Sequence, residues 1–268
     1  MLLTRIWNIS VSFRLGWSFF WTYLKLFSKF YLNKIFSLKI GKEKIFGYTI
    51  FFSSYDSFIL LYEDIFHHRA YDIDLKSSAP LIFDLGGNIG MSVIFFKLKY
   101  PKSNIFVFEA GSKTFELLKK NINFNKLHGV TAINKAVSGK KGRIKFYYDS
   151  SCVGSGLASI KEGRVDSEFE EVDSDILSNY INKKIDLLKI DIEGAETEVI
   201  NEIYRAGKLK MFNNIICEYH HHINDKENEL GIFLNKFEKT GFNYQISSFL
   251  RPPYKKGVFQ NIDIYFYK

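Results

Sequence analysis

From about residue 80 the chain alternates short, almost wholly apolar runs with longer amphipathic ones. PLIFDLG (80–86) is an apolar run ending on glycine, and MSVIFFKLKYP (91–101) has helical length and is stopped by Pro101. NIFVFEA (104–110) reads as a second buried strand. SKTFELLKKNINFN (112–125) reads as a helix with Ser112 as its N-cap and Phe115, Leu118 and Ile122 on one face. VTAINKAVS (130–138) reads as a third strand. RIKFYYD (143–149) reads as a strand within an insertion, followed by a polar Gly/Ser-rich loop at 150–163 that serves either as a lid over a site or as a plain connection. KIDLLKIDIEG (184–194) is the fourth long strand, AETEVINEIYRAG (195–207) a helix closed by Gly207, and NNIICEYH (213–220) the fifth strand. KENELGIFLNKFEKTG (226–241) is a last helix, and NYQISSF (243–249) and NIDIYFYK (261–268) are two closing strands.

Strands alternating with helices imply a mostly parallel α/β sheet covered on both faces, a Rossmann-like architecture. The two final strands have no helix between them, so they form an antiparallel hairpin at the sheet edge. Residues 43–79 read as a short β-hairpin and a lead-in helix. The chain therefore divides into an extension (1–42), a lead-in region (43–79) and a main domain (80–268).

The extension breaks the pattern. It holds all three tryptophans, and its cations Arg5, Arg14, Lys25, Lys29, Lys34, Lys39 and Lys42 meet no acid within the stretch. Its longest uncharged run, LGWSFFWTYL, has ten residues, too few for a membrane span of about 20. On a helix, Ser18, Thr22, Lys25, Lys29 and Asn33 fall on one stripe, and Trp17, Phe20, Trp21, Leu24, Phe27 and Tyr31 on another. Such a helix lies in the interface of an anionic bilayer, here through residues 1–40, or packs on the body or a second subunit.

These 42 residues carry seven of the eight net positive charges, so the body is nearly neutral. That excludes a nucleic-acid partner, which would call for a basic patch on the body. Cys152 and Cys217 have neither metal-type nor disulfide spacing, which fits a reducing cytoplasm.

The chemistry gathers at strand ends. In an open parallel sheet, ligands bind beyond the carboxyl ends of the strands, where Asp84-Leu85-Gly86-Gly87-Asn88-Ile89-Gly90 falls. Gly86 and Gly87 let a ligand approach the backbone, and the following helix presents free N–H groups. Glu109, ending the second strand, suits a ribose diol. The dinucleotide pattern G-x-G-x-x-G is absent, because Asn88 takes the middle glycine's place. Asp84 would repel a pyrophosphate but attract an ammonium. A nucleoside bearing an amino acid, S-adenosylmethionine, fits better than a dinucleotide.

FDLGGNIG, FVFEAG, NKAVS, LLKIDIEGAE and ICEYH, in this order and spacing over about residues 80–245, resemble the motifs of the FkbM family of S-adenosylmethionine-dependent methyltransferases. The resemblance implies a class I methyltransferase sheet and O-methylation of sugars, glycans or related metabolites. It places Asp84, Gly86, Asn88 and Gly90 at the methionine end of the cofactor, Glu109 on the ribose, and Lys135 and Ala136 near the adenine; Gly87 and Ala110, next in the chain to Gly86 and Glu109, are expected to bind the cofactor with them. One departure stands out: Ala110 and Gly111 follow the acid where the family has proline.

Asp191 and Glu193 end the fourth strand on the ligand side and are candidates to orient the acceptor or take its proton. Glu196, in the first helical turn, favours the helix N-terminus by its charge. His220, ending the fifth strand, is a candidate hydroxyl base because its ordinary pKa is near neutral. Asp191, Glu218 and His220 could converge as ligands, but the sequence assigns no metal. The expected acceptor is a small molecule or glycan at the cytoplasmic side, including the inner membrane face. The competing readings are an NAD-dependent oxidoreductase or epimerase, and a non-catalytic docking protein that keeps the fold. The oligomeric state is not legible.

Overall fold

A computed structural model describes residues 17–36, 38, 40–148, 168–222, 229–248 and 259–268. Arg5, Trp7, Arg14, Lys39 and the Gly/Ser-rich loop at 150–163 lie outside the described residues.

The chain opens with helix α1 (Trp17–Phe36), a hairpin of β1 (Lys42–Ile45) and β2 (Tyr48–Phe51), and helix α2 (Tyr55–Tyr62), which runs on into a wide turn at Glu63–His67. There follow β3 (Leu81–Leu85), α3 (Met91–Lys99), β4 (Asn104–Phe108), α4 (Ser112–Phe124), β5 (Val130–Ile133), β6 (Ala136–Val137), β7 (Gly142–Tyr148) and β8 (Glu168–Asp175). The second half holds β9 (Ile185–Ile190), α5 (Glu196–Arg205), β10 (Phe212–His221), α6 (Leu230–Lys239), β11 (Asn243–Ser248) and β12 (Gln260–Tyr267).

Seven strands form the main sheet in the order β11-β12-β10-β9-β3-β4-β5. β10, β9, β3, β4 and β5 are parallel, while β12 pairs antiparallel with both β10 and β11, giving the expected edge hairpin. After β3 the chain builds outward through β4 and β5. It then returns to lay β9 on the other side of β3, so the switch point lies between β3 and β9.

β3 is buried at all five positions because both of its faces are covered. Ile82 and Leu187 face a core shared with α1, the hairpin, α2, α3 and α4. Phe83, Leu85, Leu188 and Ile190 face a second core with α5, α6 and the end hairpin. The lead-in region thus closes one face of the sheet. Asn121 on α4 fastens it there: its side chain accepts from Phe51 N (2.7 Å) and donates to Phe51 O and Ile89 O.

Local details differ from the sequence reading. The third strand stops at Ile133, and Ala136–Val137 pairs instead with β8 in a separate three-stranded sheet, β6-β8-β7. The break is held by Asn134, whose side-chain amide donates to Glu109 O and Ala110 O. β8 escaped the reading because Glu168–Asp175 is acidic and mostly exposed at its start. Gly111, not Ser112, is the N-cap of α4, and Glu170 of β8 accepts from Ser112 N at 2.9 Å.

The buried stripe of α1 is rotated from the one expected. Tyr23, Leu26 and Phe30 are buried, Phe27 and Tyr31 half-buried, and Trp21 is 58% exposed. The pull is specific: Tyr23 Oη donates to Glu63 Oε1 (2.6 Å), and Lys25 and Lys29 both pair with buried Glu43. No helix among the described residues is long and apolar enough to cross a membrane.

Candidate active site

The turn after β3 lies flat on the ends of its neighbours. Gly86 has φ +80, and a Cβ there would sit 1.8 Å from Asp191 O, so no other residue fits without displacing the backbone just beyond β9. Gly86 and Gly87 both donate backbone N–H to Phe108 O. Asn88 adopts φ +48, a left-handed conformation that asparagine tolerates better than most side chains, and its Oδ1 accepts from Ile89 N. Asparagine therefore fills the middle slot for a conformational reason.

Above this turn opens a cleft enclosing about 880 Å³ of space, solvent at its mouth included. Gly86, Gly87, Asn88, Glu109, Ala110, Lys135 and Ala136 line it, together with Asp191 and Glu193 on the opposite side. Nine of the twelve expected site residues thus share one cavity. Asp84, Gly90 and His220 do not line it. Gly90 (φ +92) starts α3 beneath Leu118, where a Cβ would come within 2.8 Å of Leu118 Cδ1.

Asp84 is fully buried behind the turn, so the expected contact with a ligand ammonium is corrected. Asp84 and Lys189 are opposite one another in the β3–β9 register, on the same face as Ile82 and Leu187. Lys189 Nζ lies 3.1 Å from Asp84 Oδ1, and Ser92 Oγ donates to Asp84 Oδ2 at 2.6 Å. The buried ammonium also donates to Gly86 O (2.7 Å), tying the turn down, and lies 3.5 Å from Asp191 Oδ2. Burial works against the charge on Lys189, but Asp84 and Asp191 outweigh it and raise its pKa.

Glu109 braces the cleft's far side. Its carboxylate accepts from Asn88 N and from Gly111 N, both at 2.9 Å. Burial pushes its pKa up to about 7 despite those bonds. Lys135 pairs with Asp175 at 2.9 Å, and Asp175 also accepts from Tyr180 and Asn179.

The third wall is acidic. Tyr71 Oη donates to Asp191 Oδ2 at 3.1 Å. Glu193 has φ +55, an unfavourable backbone for a residue with a Cβ, and strain of this kind gathers at working sites. His220 sits behind it, 5% exposed. Its Nδ1 lies 2.8 Å from Glu196 Oε1; a carboxylate only accepts, so Nδ1 carries the hydrogen. Its Nε2 lies 3.0 Å from Glu193 Oε2 and 3.7 Å from Glu218 Oε1. Burial works to lower the His220 pKa, but Glu193 and Glu196 outweigh it and raise it well above neutral. The ring is then an imidazolium at neutral pH, which differs from the proton-accepting role its ordinary pKa suggests. Glu196 also accepts from Gly194 N at 2.8 Å, so it both closes the turn and orients His220. Burial, and then the charge of Asp191, push the Glu218 carboxyl well up.

Lys189 and Tyr71 were not singled out in the sequence. Lys189 had a signal, a lone cation inside the apolar run Leu187-Leu188-Lys189-Ile190. Tyr71 had none, lying in an aperiodic connection.

Residues 84–244 match the family model of the methyltransferase FkbM domain. The chain is 31% identical to methyltransferase sdnD of Sordaria araneosa, over 59% of this chain and 73% of that protein. It is 27% identical to 31-O-demethyl-FK506 methyltransferase FkbM of Streptomyces tacrolimicus, over 68% of this chain and 80% of that protein. In fold it is similar to the crystal structure of methyltransferase FkbM from Methylobacillus flagellatus KT, with TM-score 0.51 at 15% identity. That match covers 77% of this chain and 48% of the other, so this chain spans about half of that protein.

Proposed function

The chain belongs to the FkbM family of methyltransferases, whose methyl donor is S-adenosylmethionine, and from that premise we propose that it methylates a hydroxyl of a sugar, glycan or glycolipid. The observation that carries the reading is the acidic wall of Asp191 and Glu193 facing Glu109 and the glycine turn across one cleft.

The cleft residues fit the cofactor. Each Glu109 oxygen uses one lone pair on a backbone N–H and keeps another for a ribose hydroxyl. Gly86 and Gly87, beside Asn88, present bare backbone to the methionine end, Ala110 follows Glu109 along the wall, and Lys135 and Ala136 serve the adenine side. Bound S-adenosylmethionine supplies a methyl carbon on a sulfonium, which is already a good leaving group. The protein's work is to position the acceptor oxygen and remove its proton. Asp191, held by Tyr71, orients the hydroxyl, and Glu193 accepts its proton. Oxygen as the accepting atom draws support from the name of the 27%-identical relative, 31-O-demethyl-FK506 methyltransferase.

Calorimetric titration of the full chain with S-adenosylhomocysteine tests the first half of the reading, and no binding at millimolar ligand sinks it. Turnover on a panel of hydroxyl-bearing glycans and glycolipids tests the second. Asp191→Asn and Glu193→Gln should keep the ligand affinity and lower turnover by roughly 10²–10⁴-fold. A product methylated on nitrogen or carbon would overturn the hydroxyl assignment.

We also propose that residues 1–40 attach the enzyme peripherally to an anionic membrane, with residues 80–268 as the transferase unit. The support is the exposed apolar side of α1, where Trp21, Ile35 and Phe36 are each more than half exposed. Flotation with anionic vesicles should carry the full chain and leave a chain lacking residues 1–40 behind. Equal behaviour of the two refutes the attachment.

A further inference from the structure

We propose that Asp191, Glu193 and His220 form a binding site for one divalent transition-metal cation of the Mn²⁺ class, placed against the acceptor side of the cleft. The inference deepens the methyl-transfer reading and rests on it.

Each of the three residues brings one ligand atom to within 4.8 Å of the others, a spacing that a single ion can bridge. Two of them, Asp191 and Glu193, line the cleft, so a bound ion would have open positions toward an incoming hydroxyl. The independent pointer is His220. It is 5% exposed, and its Nε2 has no well-aligned hydrogen-bond partner among the described residues, the carboxylate oxygens of Glu193 and Glu218 lying 3.0 and 3.7 Å away. Meanwhile Nδ1 is spoken for by Glu196 at 2.8 Å. A carboxylate on one imidazole nitrogen, fixing the tautomer and aiming the other nitrogen at an ion, is the outer-shell arrangement of metal-binding histidines.

Charge points the same way. Around this spot Asp84, Asp191, Glu193, Glu196 and Glu218 gather, and among the described residues Lys189 and His220 are the cations that touch them. Lys189 is committed to Asp84, Asp191 and the turn.

The donor set selects the ion. Carboxylate oxygens suit Mg²⁺ and Ca²⁺ as well as Mn²⁺, but an imidazole nitrogen favours first-row transition ions. In the site, such an ion would act as a Lewis acid on the acceptor oxygen, lowering the pKa of its hydroxyl.

The test titrates the metal-free full chain with Mn²⁺ and follows loss of the free-ion signal by electron paramagnetic resonance, with S-adenosylhomocysteine titrated in a parallel sample. Saturable binding of one ion is expected. Glu193→Gln and His220→Gln should each weaken it by roughly 100-fold or more, and Glu196→Gln, which of the three ligands touches only the histidine, by roughly 10–100-fold. Circular dichroism melts confirm that each variant is folded, and Asp191→Asn serves should a buried variant fail to fold. No Mn²⁺ binding by the parent chain, or equal binding by the folded variants, overturns the site. Retained S-adenosylhomocysteine binding then leaves the methyltransferase reading standing, whereas loss of that binding alone indicts the reading itself.

Discussion

At the scale of single residues, the cleft is governed by charges whose surroundings decide their state. Glu109 is held near a pKa of about 7 by burial, and the ribose diol proposed to donate to it requires the ionised form. Binding must therefore expel a proton when the pH lies below that value. Affinity for S-adenosylhomocysteine should rise with pH up to about 7, the pKa of Glu109, and fall by up to about tenfold per unit below it. Glu109→Gln should flatten the profile, and calorimetry over a pH series checks both. Lys189 is a second such case. Lys189→Met leaves Asp84 buried without its cation and removes the donor that holds Gly86 O, so a loss of about 3–5 kcal/mol is expected. Urea midpoints with unchanged slope would measure it. The same residues mark what the sequence could reveal. Gly86, Asn88 and Glu109 were legible because loop conformation and strand ends leave a local signature. The true partner of Asp84 was not, because a salt bridge between positions 105 apart depends on register between β3 and β9, which no local pattern encodes.

At the scale of elements, the order of strands and helices from residue 80 follows from apolar periodicity alone, and the structure agrees at β3, α3, β4, β9, α5, β10 and the end hairpin. What failed was governed by partners rather than by period. β8 is acidic because it lies at the surface of a small sheet, and α1 turned a different face inward because Glu43 and Glu63 recruit Lys25, Lys29 and Tyr23. The β1–β2 hairpin is too short to be stable by itself. Asn121 substitutes for a neighbouring strand by pairing with both backbone groups of Phe51, while Asn125 does the same at Thr49. Asn121→Ala should cost about 2–4 kcal/mol, the sum of lost bonds and orphaned backbone groups. Hydrogen exchange at the Thr49 and Phe51 amides should accelerate more than exchange in β3. Uniform acceleration across the molecule would instead mean that the hairpin and sheet unfold as one unit.

At the scale of the whole molecule, two cores back one sheet, and the working cleft sits where the sheet's two halves meet. Composition foretold the neutral body and the cationic extension, since charge is additive along a sequence. It could not foretell that part of the extension's charge is spent inward on Glu43. The switch point between β3 and β9 has a further consequence, for the order of assembly. The glycine turn and Glu109 lie within one βαβ stretch and come together through contacts near in sequence. The acidic wall joins them only after the chain has closed a loop of about a hundred residues, as the bonds from Lys189 to Leu85 and Gly86 require. Long closures of this kind are slow relative to local pairing. A nascent chain can therefore shape the half proposed to bind the nucleoside early, yet the residues proposed to handle the acceptor join it only in the step that completes the sheet. On the proposed roles, the complete site and the native topology arrive together.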